Sequence, residues 1–288
     1  MKFGWMTAVV GLALLGSACA SSALPVGPGP TRTIQSFDGL TLAYDDRGEG
    51  DSLLFIHGMC CERGFWAESA GELAEDYRVI TMDLGGHGES GRNRAAWKLS
   101  DMASDVVAVV EHLELSELIL VGHSMGGPTA LLAAEQLPGR VHGVVAVDAL
   151  HDPAMKMDLV AMEPFLELMA DDYEGFWHMN VGSAFLPDAD PAIIERVLEV
   201  ANDTPFAVAN GLMLSFAEYD ATETLRACRV PVRCINASMS PTLTEASQAI
   251  ATDFDAVLME GVGHFPMLDA PEEFNRELRR VLSELSSL

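Results

Sequence analysis

The feature that most constrains the fold is the alternation of strand-like and helix-like segments from residue 33 onward. Short apolar runs bounded by turn residues alternate with segments whose apolar residues recur at helical spacing. Strands are predicted over Thr33–Phe37, Leu40–Tyr44, Ser52–Ile56, Tyr77–Leu84, Leu118–Val121, Val141–Val147, Val230–Ile235 and Asp255–Met259. Helices are predicted over Phe65–Ala74, Ser100–Leu113, Met125–Leu137, Thr244–Thr252 and Pro271–Leu285. This order predicts a mainly parallel sheet with helices on both faces and a functional site beyond the strand ends.

One long segment interrupts this alternation. Residues 149–229 contain no convincing strand and are rich in Met and Leu, with scattered acids and prolines. Three to five helices are predicted there. Because the segment leaves from the end of one strand and returns at the start of the next, we expect it to cover the strand ends as a cap. The core domain is then formed by residues 32–148 and 230–288.

The first twenty residues are predicted to be an export signal. One cation, Lys2, precedes an apolar run from Met6 to Leu15, which is too short to span a bilayer but typical of the hydrophobic part of such a signal. Residues 21–31 are rich in Ser, Gly and Pro and are interpreted as a tether. The protein is therefore expected in the periplasm or cell envelope, or secreted.

Two interpretations of the end of this signal remain open. The small residues of Ala18-Cys19-Ala20 fit ordinary signal cleavage. Alternatively, Cys19 resembles the lipidated cysteine of a bacterial lipoprotein, although Gly16 stands where an aliphatic residue is preferred. A lipid on Cys19 is the single membrane contact that the sequence suggests.

Charge and cysteine content limit the binding partners and bound groups that can be expected. The 288 residues carry a formal net charge of −26, which disfavours nucleic acid and anionic lipid surfaces. The remaining cysteines are Cys60, Cys61, Cys228 and Cys234. A disulfide between Cys228 and Cys234 across a short loop is conceivable in an exported protein, whereas adjacent cysteines rarely pair. No cysteine spacing is typical of a metal site, so neither metal nor cofactor is predicted, and nothing indicates the oligomeric state.

The segment GHSMGG at 122–127 carries the strongest chemical signal. It follows a short buried strand and opens a helix, the context that a strained nucleophile turn requires. Gly122 and Gly126 leave room for the sharp turn, which exposes the hydroxyl of Ser124. The backbone N–H of Met125, at the start of the helix, is placed to stabilise an oxyanion.

Two further loops follow predicted strands. In His57-Gly58-Met59 a glycine turn can direct the Met59 N–H to the same oxyanion while His57 braces the loop. The alternative is a plain turn with a partly buried histidine. The segment DLGGHGES at 83–90 has three glycines and is interpreted as a shaping loop rather than a catalytic one.

The base is predicted in the segment GVGHFP at 261–266, directly after the last strand. A neutral imidazole on a loop at the rim of the sheet can accept the proton of a serine and later donate it to the leaving group. His264 is therefore the candidate base. The alternative is an ordinary surface histidine.

Together these four motifs resemble, in order and spacing, those of the α/β-hydrolase superfamily. The resemblance covers about residues 33–285. It implies an eight-stranded sheet, a Ser–His–acid triad and an oxyanion hole near Met59 and Met125. It implies little about the substrate, but a serine nucleophile disfavours the dehalogenase and epoxide-hydrolase reactions of this superfamily.

The acid of the triad departs from the common family pattern. In many members the acid follows the strand that resumes after the cap, but the corresponding segment 236–241 reads NASMSP and contains no Asp or Glu. Asp148, at the end of the preceding strand, is the best replacement and keeps the order Ser124, Asp148, His264. The alternatives are a site without a working acid, with Ser238 or Ser240 at that position, or Glu245.

Several residues near these motifs are candidates for lining a substrate pocket: His57, Cys60, His151 and Trp177. Core packing is the competing interpretation for the tryptophan. The many methionines of the cap favour either an adaptable apolar pocket or plain helix packing.

The leading hypothesis is a serine hydrolase that cleaves a small or medium, largely apolar carboxylic ester or lactone through an acyl-enzyme. The same site also suits carbon–carbon bond hydrolysis, hydrolysis of short peptides or perhydrolysis. A third hypothesis is a catalytically weakened hydrolase that binds a ligand, for which the unusual acid position is the motivating observation.

Overall fold

The computed structural model describes residues 31–156 and 158–287. The predicted export signal, most of the tether and Cys19 lie outside these residues. The chain forms one eight-stranded sheet in the order β1-β2-β4-β3-β5-β6-β7-β8. Its strands are β1 (Arg32–Gln35), β2 (Thr41–Arg47), β3 (Ser52–Ile56), β4 (Arg78–Met82), β5 (Leu118–His123), β6 (Val141–Val147), β7 (Val232–Ala237) and β8 (Phe254–Met259).

The sheet is mainly parallel, as predicted: seven of its eight strands run in the same direction. The exception is β2, which pairs antiparallel with β1, as a hairpin, and with β4. The hairpin turn forms at Asp38-Gly39, where Gly39 has φ +84°, a conformation that glycine adopts without steric cost. The carboxyl ends of β3, β5, β6, β7 and β8 therefore lie at one rim of the sheet.

Helices cover both faces of the sheet. They are α1 (Ala67–Leu73), α2 (Leu99–His112), α3 (Gly126–Gln136), α4 (Leu159–Asp171), α5 (Tyr173–Ser183), α6 (Pro191–Asp203), α7 (Phe206–Glu218), α8 (Ala221–Ala227), α9 (Thr244–Gln248), α10 (Pro266–Asp269) and α11 (Pro271–Leu285). One apolar core lies under α2 and α3, and a second lies under α1 and α11. A helix long and apolar enough to cross a membrane is absent from residues 31–156 and 158–287.

The five helices α4–α8 occupy the segment predicted to be a cap. They contribute to both cores: Leu212 joins the core under α2 and α3, and Met169 and Phe176 join the other. The outer face of α4 is apolar and exposed, with Val160 75% and Phe165 51% accessible. Packing within these two shared cores, rather than a separate core, therefore holds the cap in place.

Helix ends differ from the predictions where distant contacts decide them. α2 begins at Leu99 after Lys98, so the prediction that Ser100 is the N-cap is wrong. The Leu99 N–H donates instead to the Ser215 hydroxyl of α7 at 3.0 Å, and this contact replaces a local cap. α9 ends at Gln248, four residues earlier than predicted.

The suggested disulfide is not formed. Cys228 and Cys234 are free thiols, as are Cys60 and Cys61. Cys234 lies within the buried strand β7, and the Cys228 thiol donates to the Val230 carbonyl at 3.4 Å. Both thiols are part of the core under α2 and α3, so they pack as small apolar groups.

Candidate active site

Ser124 lies at the turn between β5 and α3. Its φ of +50° is a left-handed conformation that few non-glycine residues adopt, and two close contacts enforce it. A Cβ on Gly122 would lie 2.1 Å from the Gly126 carbonyl, and one on Gly126 would lie 2.4 Å from the Ile56 carbonyl. Only glycine fits at both positions, so the turn that presents Ser124 is specified by the sequence itself.

Two backbone N–H groups border this turn. Met59 follows β3, and Met125 is the N-cap of α3. Within the described part of the chain, neither N–H donates a hydrogen bond to another residue. The two loops are close together, because a Cβ on Gly58 would lie 3.2 Å from the Cβ of Ser124. Both donors are therefore available to a negatively charged oxygen bound beside the serine.

The loop after β8 carries His264, whose side chain is 31% exposed. Its carbonyl accepts a hydrogen bond from His123 Nε2 at 2.7 Å, and the centroids of the two rings are 4.7 Å apart. Burial, together with the neighbouring His264, lowers the pKa of His123 to about 3, so His123 is neutral. The residue directly before Ser124 thus anchors the loop of the candidate base.

The cap also holds this loop. The His264 N–H donates to the Ala184 carbonyl at 2.7 Å, at the end of α5, and Phe265 stacks on Phe185 with ring centroids 5.2 Å apart. A Cβ on Gly263 would lie 2.4 Å from the same carbonyl, so this glycine allows the cap to approach the loop. No sequence pattern indicated this contact.

Asp148 follows β6 and is 6% exposed. Its Oδ2 lies 2.5 Å from His264 Nδ1, and its Oδ1 accepts the Ala237 N–H at 2.8 Å. Burial raises the pKa of Asp148, but hydrogen bonds from His151, His264 and Ala237 outweigh burial and hold it below its usual range. An ionised Asp148 therefore fixes the His264 tautomer that carries a proton on Nδ1 and leaves Nε2 free to accept one.

The residues considered as alternatives to Asp148 lie elsewhere. The Ser238 hydroxyl donates to the Glu260 carboxylate at 2.8 Å, and Glu245 is exposed in α9. Asn236, at the end of β7, bonds the backbone of Ala149 through both of its side-chain polar atoms, each at 3.1 Å. The missing acid after β7 is thus replaced by an amide that holds the segment after Asp148.

His57 is fully buried and braces two loops. Its Nδ1 donates to the Gly58 carbonyl at 2.7 Å, and its Nε2 accepts the Leu84 N–H at 3.0 Å. Burial lowers the pKa of His57 to about 4. The bracing role proposed from the sequence fits this geometry, but the assignment of His57 to a pocket wall does not, since both ring nitrogens are used within the protein.

The other pocket candidates also lie elsewhere than expected. Cys60 is 1% exposed and Trp177 is 7% exposed. Trp177 packs against Tyr173 and Phe176 inside the cap, as the core-packing alternative proposed. Burial raises the pKa of the Cys60 thiol to about 12, which leaves it protonated. His151 lies behind Asp148, with its Nε2 at 3.3 Å from Oδ1.

The loop 83–90 shapes the rim, as predicted from its glycines. The Asp83 carboxylate is fully buried and accepts the N–H groups of Arg63 at 2.7 Å and of Glu89 at 2.9 Å. The Arg63 guanidinium pairs with the same carboxylate. A Cβ on Gly88 would lie 2.4 Å from the Asp83 side chain, so glycine is required there.

Among residues 31–156 and 158–287, no group of three or more His, Cys, Asp or Glu side chains is arranged to hold a metal ion. The groups that the described geometry brings to this rim are a hydroxyl, an imidazole, a carboxylate and two backbone N–H groups.

Known proteins match this fold and rim. The profile described as "alpha/beta hydrolase fold" matches residues 51–177. The chain is 24% identical over 250 residues to a 2-(acetamidomethylene)succinate hydrolase of Mesorhizobium japonicum, covering 81% of this chain and 88% of that protein. Several further curated relatives are matched over less than half of their own length.

Solved structures of other proteins share the fold of this chain. A thermophilic esterase from Thermogutta terrifontis superimposes with a TM-score of 0.78 at 25% identity, covering 89% of this chain and 99% of that one. The enol-lactonase from Burkholderia xenovorans LB400 shares the fold, with a TM-score of 0.78 at 17% identity over 88% of this chain and all of that one. The chain has the α/β-hydrolase fold, and the known proteins that share this fold with it include esterases and an enol-lactonase.

Proposed function

We propose that the protein is a serine hydrolase that cleaves a small or medium, largely apolar carboxylic ester or lactone through an acyl-enzyme. The observation that carries this proposal is the contact between Asp148 Oδ2 and His264 Nδ1, 2.5 Å long, on a loop tied to the residue before Ser124. A buried carboxylate on Nδ1 leaves Nε2 as the proton acceptor, which is the arrangement that a serine nucleophile needs.

Each step then uses one described group. The Ser124 oxygen attacks the substrate carbonyl carbon while His264 Nε2 accepts the serine proton. The N–H groups of Met59 and Met125 stabilise the negative oxygen of the tetrahedral intermediate. When the carbon–oxygen bond to the alcohol breaks, His264 returns its proton to that oxygen. Water, deprotonated by His264, then attacks the acyl carbon of the acyl-enzyme. The bond from this carbon to the Ser124 oxygen breaks, the acid is released, and His264 returns the proton to Ser124.

An ester or lactone fits this rim better than a charged substrate. The formal net charge of −26 disfavours anionic acyl groups. Apolar side chains lie near the reacting groups: Met59 is half-buried against both cores, and Phe185 stacks on Phe265, the residue after His264. A lactone differs from an open ester only in that the alcohol and the acid stay in one product, so the same steps apply.

Steady-state hydrolysis of p-nitrophenyl acetate, butyrate and octanoate, with γ- and δ-lactones followed by pH-stat, tests the proposal. We expect sustained turnover by the wild type and a loss of at least about 10³-fold in kcat for Ser124→Ala. Ser238→Ala is the matched control, because it removes a hydroxyl at the rim that takes no part in the mechanism, and it should retain wild-type kcat. Full activity in Ser124→Ala, or a wild type that stops after one acylation, would refute the proposal.

A further inference from the structure

The carboxylate of Asp148 contacts two imidazoles, and the mechanism uses only one of them. His264 Nδ1 lies 2.5 Å from Oδ2, and His151 Nε2 lies 3.3 Å from Oδ1. Oδ1 also accepts the Ala237 N–H at 2.8 Å. The acid is therefore held from both sides, and His151 is the side chain on the side away from the candidate base.

Neighbouring groups determine the proton positions on His151. Its Nδ1 lies 3.1 Å from the Thr242 hydroxyl and 3.4 Å from the Asn236 side-chain N–H group. Asn236 also donates to Thr242 Oγ1 at 3.0 Å, so the hydroxyl proton of Thr242 is free to point to His151. The two N–H protons of Asn236 are directed to the Ala149 carbonyl and to Thr242 Oγ1, so the Thr242 hydroxyl is the donor to His151 Nδ1. Nδ1 therefore acts as an acceptor, which leaves the proton of a neutral ring on Nε2, directed to Asp148.

The backbone is bent to bring His151 to this position. Asp148 and Leu150 have φ values of +43° and +57°, both in the left-handed region that non-glycine residues seldom adopt and that Leu tolerates less well than Asp. The His151 carbonyl accepts the Leu243 N–H at 2.7 Å, which ties the hinge of the cap to the loop after β7. Such strain persists only where surrounding contacts maintain it, and it folds the chain so that residue 151 returns to residue 148.

We propose that His151 is a positioning residue that orients the Asp148 carboxylate and weakens its attraction for a protonated His264. This inference rests on the proposed function for its catalytic consequence. A hydrogen bond to Oδ1 restricts rotation of the carboxylate, so that Oδ2 stays on His264 Nδ1. It also disperses the negative charge that would otherwise stabilise an imidazolium at His264.

The groups around this pair allow the effect to be isolated. The ionisable groups that contact His151 and His264 are Asp148 and the neutral His123, while Asn236 and Thr242 carry no charge. Asp269 accepts the Gly263 N–H at 2.7 Å beside His264, and burial raises the pKa of Asp269. Asp152, next to His151, accepts the N–H of Ala154 at 2.8 Å. A change at residue 151 therefore reaches His264 through Asp148.

Two variants at residue 151 test the inference. His151→Phe keeps an aromatic ring but no donor, and His151→Gln keeps an N–H that can reach Oδ1. His142→Phe, at an exposed position of β6, is the matched control. We expect the acidic limb of the kcat/KM profile to move to higher pH by about half a unit or more in His151→Phe, with kcat lower by about tenfold. His151→Gln should restore most of both values, and His142→Phe should match the wild type.

A second measurement separates this inference from the proposed function. Long-range ¹H–¹⁵N NMR follows the titration of the His264 ring in the wild type and both variants, and it needs no turnover. If the wild type hydrolyses no ester while the His264 titration still moves upward in His151→Phe and returns in His151→Gln, the proposed function fails and the inference on His151 stands. A titration and an acidic limb that are the same in all variants, or a His151→Gln that behaves as His151→Phe, would overturn it.

Discussion

At the nucleophile turn the backbone leaves no room for a side chain, whereas one glycine of the cap has open space around it. A Cβ on Gly122 would meet the Gly126 carbonyl at 2.1 Å, but a Cβ on Gly182, in α5, would have nothing within 4 Å. Glycine is therefore a steric necessity at residue 122 and replaceable at residue 182.

The rim and the cap also differ in the side chains that they bury and expose. At the rim, the buried side chains of His57, Asp83 and Asp148 each have hydrogen-bond partners. The cap instead exposes apolar residues such as Val160 and Phe165. It is tied to the core by a few polar contacts, among them that of Arg196 with the Gly64 carbonyl at 2.8 Å. The comparison teaches that the rim can hold a reactive geometry while the cap is free to vary with the substrate.

The largest expected effect is at the acid of the rim. Asp148→Asn removes the charge that fixes the His264 tautomer while keeping the shape of the side chain, so kcat should fall by about 10³- to 10⁴-fold. Glu245→Gln, at the exposed alternative acid in α9, should leave kcat unchanged. The measurement is single-substrate ester kinetics, and a reversed order of the two variants would place the acid at residue 245.

A glycine pair compares the two regions directly. Gly122→Ala should destabilise the fold by at least about 3 kcal/mol, because the added methyl group overlaps the backbone of the nucleophile turn. Gly182→Ala lies exposed in a helix, with open space around it, and should gain up to about 1 kcal/mol from helix propensity. Urea unfolding of both variants checks this, and equal effects would remove the distinction between rim and cap.

Buried histidines make the rim sensitive to acid. The pKa of His57 is lowered by burial from 6.5 to about 4, so the unfolded chain binds a proton below pH 6.5 that the folded chain does not bind until about pH 4. Stability is therefore present above pH 6.5 and is lost as pH falls through this window, by about 3 kcal/mol for this group. His57→Gln should flatten the pH dependence of the unfolding free energy by one proton, while His178→Gln, on the exposed side of α5, keeps the wild-type slope.

The smallest expected effect is at the contact between cap and core. Arg196→Met removes the hydrogen bond to Gly64 and the stacking of the guanidinium over the Phe65 ring, 5.2 Å from its centroid. A loss of about 1 kcal/mol should speed amide exchange in α6 by about fivefold. The control Arg280→Met breaks only a pair within α11, with Glu277, and should not change exchange in α6. Unchanged α6 exchange in Arg196→Met would show that apolar packing alone holds the cap.

Much of the rim was predictable because its requirements are local. β3 and β6 have their predicted bounds, Ser52–Ile56 and Val141–Val147, since each is a continuous apolar run bounded by turn residues. The eight-stranded sheet that the resemblance implied is confirmed. Ser124 was singled out because its glycines are adjacent in sequence, and the structure brings the loop of His264 beside it.

The rest depends on contacts that no local pattern records. The pocket candidates His57 and Cys60 were chosen for their closeness to a motif, but side-chain direction decides burial, and both point into the protein. The return of His151 to Asp148 requires left-handed backbone at residues 148 and 150, a conformation that few non-glycine residues adopt and that leucine disfavours. The support of the His264 loop by Ala184 joins segments 80 positions apart, and no spacing in the sequence indicates it.

The most direct test of the site is covalent labelling with a fluorophosphonate, which reacts with an activated serine, followed by peptide mass spectrometry. We expect one adduct per chain, on the peptide that contains Ser124, with no adduct in Ser124→Ala and a much slower reaction in Asp148→Asn. Labelling of a different residue, or equal labelling rates in the wild type and Asp148→Asn, would contradict the assignment of Ser124, His264 and Asp148 as one catalytic unit.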